Sequence, residues 1–144
     1  MNPTSMKNQA RFSVPTIGPG LYEFTADVAD FVKGRGDGLL TLFCQHTSCS
    51  LLVQENADPD VQTDLTEFFR RIAPSLKDAS MSWVRHRTEG PDDMPAHIRA
   101  ALTQVSLSIP VTGGRLALGT WQGIYLFEHR EQRHTRQVVA HFSA

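Results

Sequence analysis

The sequence predicts an α+β fold, with two mostly antiparallel β-sheets packed on one another and two to three helices interspersed. Two observations carry this. Most apolar residues alternate with period two in short runs bounded by Gly, Pro, Asn or Asp, as half-buried strands do. Only a few segments repeat instead at the 3.6-residue helical spacing, and they fall between the strands. A third observation bounds the size: 144 residues, 40% of them hydrophobic, suit one core and one domain over 1–144. Within it, residues 1–10 read as a flexible or peripheral N-terminal extension.

The first strand is expected near Arg11–Pro15 and the second over Leu21–Phe24, after the turn Gly18-Pro19-Gly20. Thr25 can cap a short helix carrying Val28, Phe31 and Val32 on one side and stopping at Gly34. The turn Gly34–Gly38 leads into a strand over Leu39–Cys44, whose alternation puts Leu40, Leu42, Cys44 and His46 on one face. Ser50–Gln54 reads as another strand. The clearest helix comes next, with Asp58 as N-cap, Pro59 at its first position and Asp60 favoured by the dipole. Its apolar stripe is Val61, Leu65, Phe68, Phe69 and Ile72; Glu67 and Arg71 pair on the outer face and Pro74 ends it. A short strand is expected over Ser82–His86. The turn Glu89–Asp93 then opens a helix with Asp93 or Met94 near the cap and Pro95 at its start, turning Ile98, Ala101 and Leu102 inward. Strands over Ser106–Val111, Leu116–Glu128 and Gln137–Phe142 complete the chain.

Within Leu116–Glu128, Gly119 and Thr120 interrupt the alternation just before Trp121-Gln122. Gly in a strand pattern marks a bulge or a close approach by a ligand or second backbone. Trp121 and Gln122 offer a flat ring and an amide, a surface suited to a planar polar molecule, or alternatively a buried core Trp.

A net charge of −1 and the lack of a long block of like charge argue against a nucleic-acid partner. No apolar run approaches the ~20 residues of a membrane span, and no signal-peptide core follows Met1–Lys7, so a cytoplasmic protein is expected. Cys44 and Cys49 lack C-x-x-C spacing and read as small, partly buried residues rather than a disulfide. There is no P-loop, no G-x-G-x-x-G and no G-x-S-x-G elbow. Thr47 beside His46 points to the opposite strand face, against a serine- or threonine-hydrolase reading. The basic segment His129–Arg136 reads as a solvated turn, with phosphate binding as the alternative.

Three histidines, His46, His86 and His97, lie beside turns or element ends. Three neutral imidazoles with an open fourth position suit zinc or another transition metal, which would activate water or polarise an oxygen. Structural, hydrogen-bonded histidines are the alternative. Glu89 and Asp92, unlike Asp58 and Asp93, are not explained as helix caps. They could support a metal, hold magnesium with substrate, or move protons as catalytic groups.

With these residues in hand, the chain resembles the YjbQ-like family of secondary thiamine-phosphate synthases over nearly everything beyond the first ten residues. The resemblance rests on His46-Thr47-Ser48, Glu55–Asp60, Trp83 with His86, Glu89–Ile98, and Gly119-Thr120-Trp121-Gln122. Cys49-Ser50 departs from the Ala-Gly common at that place in the family. The resemblance implies a trimer about a threefold axis with clefts near the subunit boundaries, and it strengthens His46, His86 and His97 as metal ligands. It implies substrate binding by Thr47, Asn56, Trp121 and Gln122. The reaction implied joins an aminopyrimidine diphosphate to a thiazole phosphate with release of pyrophosphate, as a main or side activity. Two other readings stay open: a metal-dependent hydrolase, and a non-catalytic trimer binding metal or metabolite.

Overall fold

The computed structural model describes residues 7–144. Strands β1 (Gln9–Thr16), β8 (His134–Ser143), β3 (Gly38–Cys44), β5 (Ser106–Thr112) and β6 (Arg115–Leu116) form a five-stranded sheet in that spatial order. A second sheet places β7 (Gln122–Glu128) between β2 (Gly20–Glu23) and β4 (Cys49–Glu55). Every pairing is antiparallel. Helix α1 (Thr25–Val32) follows β2, α2 (Pro59–Ile72) follows β4, and α3 (Asp93–Leu102) precedes β5.

Period-two alternation sends Val14, Leu40, Leu42, Leu107, Ile109, Val138 and Ala140 from the larger sheet into the core. There they meet Leu51, Ile124 and Leu126 of the smaller sheet and Val28 and Val32 of α1. Each of the valine, leucine and isoleucine side chains contributes about 1.5–3 kcal/mol on burial. A satellite cluster of Leu76, Met81 and Val84, with Met94 and Ile98 packed on it, anchors the long connection from α2 to α3 onto α3.

Several expected boundaries shift. The strand expected over Ser82–His86 is absent: Ala79–Met81 is a 3₁₀ turn capped by Asp78, and residues 82–92 form turns and irregular backbone. Too few residues separate Met81 and Val84, both packed on α3, for an extended run between them. The strand expected over Leu116–Glu128 breaks into β6 and β7, with 117–121 between them. β1 begins at Gln9, so Gln9 and Ala10 already pair with His141 and Ala140, and the Asn8 carbonyl accepts from the Phe142 amide; of the expected extension, residues 1–6 lie outside the described residues.

Thr25 is the first residue of α1 rather than its cap, and its hydroxyl accepts from the Ile124 amide. Asp58 caps α2 as expected, accepting the Asp60 amide at 2.9 Å. The α2 stripe is only partly covered. Phe69 packs edge-on against Phe127 at 5.3 Å between centroids, while Phe68 and Ile72 stay exposed. In α3 the inward face is Asp93, Ala96 and Ala100, and Ala101 and Leu102 are exposed, one position away from the expected phase.

Candidate metal centre

Asp93 and His97 stand four residues apart in the first turns of α3, a spacing that stacks two side chains on one helix face. The satellite cluster brings His86 to the same point. Asp93 Oδ2 lies 2.8 Å from Nε2 of His86 and 3.1 Å from Nε2 of His97, and the three donor atoms all fall within 4.8 Å of one another. Asp93 is only 3% exposed, whereas the two imidazoles are open to solvent on one side. Two histidines and a carboxylate form a donor set that zinc or non-haem iron takes.

The second nitrogen of His97, Nδ1, lies 2.9 Å from the Thr47 carbonyl oxygen, which can only accept. In the neutral imidazole the proton therefore sits on Nδ1 and the lone pair of Nε2 faces Asp93, the arrangement by which metal-binding imidazoles are oriented. Two acceptors facing each other at 3.1 Å call for a cation or a proton between them. Donors around a tetrahedral zinc stand about 3.3 Å apart, given bonds near 2.0–2.1 Å. The two carboxylate–imidazole gaps, 2.8 and 3.1 Å, lie within about 0.5 Å of that spacing.

Behind it lies Arg130. Its Nη1 donates to Asp93 Oδ1 at 2.6 Å, its Nε to Asp92 Oδ2 at 2.9 Å, and its Nη2 to the Glu89 carbonyl at 3.2 Å. Burial pushes the Asp93 carboxyl up, but the His86 hydrogen bond, the neighbouring His97 and the Arg130 charge outweigh it and hold the carboxyl below its usual value. Asp92 is treated the same way: burial raises it, and the Glu131 amide with Arg130 brings it down.

One layer deeper, Glu128 accepts from the amides of His129 and Arg130, from Thr16, and from Arg136, whose Nη2 reaches it at 2.6 Å. This fully buried pair fixes the backbone that presents Arg130. The segment expected to be a solvated turn is thus partly interior: His129 and Arg136 are buried, and only 131–133 form the outer turn before β8. His129 Nε2 lies 3.0 Å from Ser50 Oγ, and burial with the nearby Arg99 charge pushes its imidazole down to about 3.

The residues singled out from sequence divide into two groups. His86, His97, Asp92, the Glu89 backbone and the Thr47 carbonyl gather at the cluster. His46 does not join it: its Nε2 accepts the Gln137 amide at 2.8 Å, and burial first, then the Arg136 charge, lowers its pKa. Asn56, Trp121 and Gln122 sit at the far end of the β4–β7 pair. Glu55 faces Gln122 and Cys49 faces Glu128, so six residues, about 20 Å of strand, separate the two ends. There the Asn56 amide donates to the Trp121 carbonyl, Gln122 Oε1 accepts from Gly119, and the Trp121 ring is 63% exposed. The close approach in this motif is at Gly123, where a Cβ would stand 2.7 Å from Glu23 Oε2, rather than at Gly119. Cys44 and Cys49 are free and fully buried, with Sγ atoms 3.4 Å apart.

Asp93 and Arg130 are the members that sequence reading missed. The Asp93-x-x-x-His97 spacing was the available signal for the first.

The model of the family described as UPF0047 protein YjbQ-like matches residues 10–144. The chain belongs to that family. Among YjbQ-like relatives, the UPF0047 protein sll1880 of Synechocystis sp. is 49% identical over 97% of this chain and 94% of its own length. UPF0047 protein YjbQ of Salmonella typhimurium is 41% identical over 84% and 86%. Among solved YjbQ-like structures, the conserved hypothetical protein TT1486 of Thermus thermophilus superposes with a TM-score of 0.81 at 34% identity, over 93% of this chain and 99% of that one. A YjbQ/UPF0047 protein of Clostridium acetobutylicum gives 0.81 at 31% identity over the same shares. The α+β fold of antiparallel sheets with three α-helices is common to them. No helix among the described residues is long and apolar enough to cross a membrane.

Proposed function

We propose that this YjbQ-like protein is a metal-dependent enzyme centred on His86, Asp93 and His97. The observation that carries the reading is the His97 geometry: its proton is committed to the Thr47 carbonyl, leaving Nε2 and Asp93 Oδ2 as facing acceptors. A bound divalent transition metal would supply Lewis-acid polarisation of a substrate oxygen and a lowered pKa for water. The chain's own residues then have distinct tasks. Arg130 turns Oδ2 of Asp93 toward the histidines by holding Oδ1. Asp92, gripped by Arg130 and the Glu131 amide, positions that guanidinium and is poorly placed to exchange a proton. Glu89, whose carboxylate is exposed and makes no hydrogen bond among the described residues, is the better-suited group to move one.

The transfer implied by the family resemblance, aminopyrimidine diphosphate onto thiazole phosphate, is the substrate-specific form of this reading. The nearby cationic arginines and the two-histidine, one-carboxylate donor set support it. A homotrimer belongs to the same proposal, supported by solvent-facing Leu39, Phe43, Leu102 and Val105, which a neighbouring copy would cover. In a trimer Trp121, Gln122 and Asn56 could serve a site from a neighbouring chain. A cytoplasmic setting suits the closely spaced Cys44 and Cys49 thiols.

Elemental analysis of tag-free protein tests the centre. About one zinc per chain, lost in His86→Ala, His97→Ala and Asp93→Asn, supports it; no metal after incubation with zinc, manganese and magnesium sinks it and leaves a proton in the His97–Asp93 gap. Pyrophosphate release that requires thiazole phosphate then supports the transferase. Release without it supports a hydrolase, and ligand-induced thermal protection without turnover supports a binding protein.

A further inference from the structure

A niche of about 370 Å³ opens beside the cluster, lined by Trp83, Val84, Arg85, His86 and Met94. That volume is at the small end of ligand pockets, the size of one ring with its substituents. Its floor is rigid, because Val84 is buried against Leu76 and Met81 and Met94 packs on the same cluster. The Trp83 indole stands over that floor 65% exposed, although the neighbouring apolar side chains of the connection are covered.

The charges around the niche are unequal. Arg87 donates to the carbonyls of Val84 and Met81, Arg99 to that of Ala73, and Arg130 to Asp92 and Asp93. Arg85 makes no hydrogen bond or ion pair among the described residues, so it keeps a guanidinium for an incoming anion. His86 belongs to both the niche and the donor group, so a molecule seated here touches the centre directly.

We infer that this niche is the recognition subsite of the centre and takes a flat aromatic ring bearing an anionic group. The ring lies on Trp83 against Met94, the anion meets Arg85, and the reacting end reaches His86. This rests on the metal-centre reading for its chemistry. It moves ring recognition from Trp121, some 20 Å along the strands, to Trp83 on the same chain. An apolar ligand would leave Arg85 unmatched, and a simple inorganic anion would leave the indole and Met94 in water.

Phenylphosphonate, which cannot be hydrolysed at its P–C bond, is the probe, with methylphosphonate as the ringless control. Binding is read for every variant by saturation-transfer NMR, and for those that keep Trp83 also by Trp fluorescence in a Trp121→Phe background, each with and without zinc. The expected result is at least tenfold tighter binding of phenylphosphonate, with Trp83→Ala and Arg85→Gln each weakening it about tenfold at unchanged zinc content. Equal affinity for the two phosphonates, or no effect of Trp83→Ala, overturns the assignment. A smaller assembly for Trp83→Ala by light scattering also overturns it, because the niche is then filled by a second copy of the chain. Loss of zinc binding in the parent protein with phenylphosphonate still selected over methylphosphonate removes the metal reading and leaves the subsite standing.

Discussion

Arg130 reaches Asp93 at 2.6 Å through Oδ1, the oxygen that the two histidines leave free. Orientation and charge pull in opposite directions at this contact. A guanidinium beside the carboxylate repels a cation, yet it also fixes the carboxylate so that Oδ2 points between the imidazoles. Groups that orient metal ligands typically contribute 10–100-fold to affinity. Arg130→Gln is therefore expected to weaken zinc binding by roughly that factor, measured by competition with a chromophoric chelator. Tighter binding in the variant would mean that charge outweighs orientation.

His46 provides the opposite expectation. Its Nε2 accepts the Gln137 amide at 2.8 Å and takes no part in the His86–Asp93–His97 group. His46→Ala should keep its full zinc content. It should lose about 1–3 kcal/mol of stability, the cost of leaving a partly buried amide without a partner. Chemical denaturation alongside elemental analysis separates the two effects, and loss of zinc would restore a three-histidine site formed with a second chain.

Much of the fold was legible because alternation and capping are local. Asp58-Pro59 announced α2, and Leu40, Leu42 and Cys44 announced the inner face of β3. The 82–86 segment misled because Trp83 and Val84 have strand-like composition, whereas their geometry is set by packing of Met81 and Val84 on α3. The site was half legible. His86 and His97 stood out as residue types, but Asp93 was hidden by an ordinary capping role, and Arg130 lies far away in sequence. Only the antiparallel return of β7 beside β4 carries Arg130 to α3, a long-range pairing that no local pattern encodes.

Glu128 and Arg136 form a fully buried ion pair whose bonds continue into Thr16, Ser48 and the amides of His129 and Arg130. Removing one partner leaves the other charge without compensation in the interior. Arg136→Met is expected to cost about 3–5 kcal/mol, whereas the double variant Glu128→Gln/Arg136→Met recovers part of the loss. A double-mutant cycle by urea denaturation measures the coupling. Additive losses would show that the two groups act independently despite their contact.

Stability should also fall on mild acidification, and His129 sets the direction. Burial first, and the Arg99 charge second, push its imidazole from the ordinary 6.5 down to about 3 in the folded protein. Between those values the unfolded chain binds a proton that the folded chain refuses, so stability rises with pH across the window. The contribution is complete above about 6.5 and is lost progressively as pH falls toward 3, at up to about 1.4 kcal/mol per unit. His46 is lowered as well and adds a slope of the same sign. The buried carboxylates Glu128 and Asp93, both held below their usual values, add theirs mainly at more acidic pH. His129→Gln keeps an amide opposite Ser50 Oγ and removes the titration. Its Tm is expected to change less than the wild-type Tm between about pH 6.5 and 4.5, where the carboxylates contribute least. Parallel profiles for the two proteins would show that His129 takes up its proton without unfolding, through an opening of the core around Ser50.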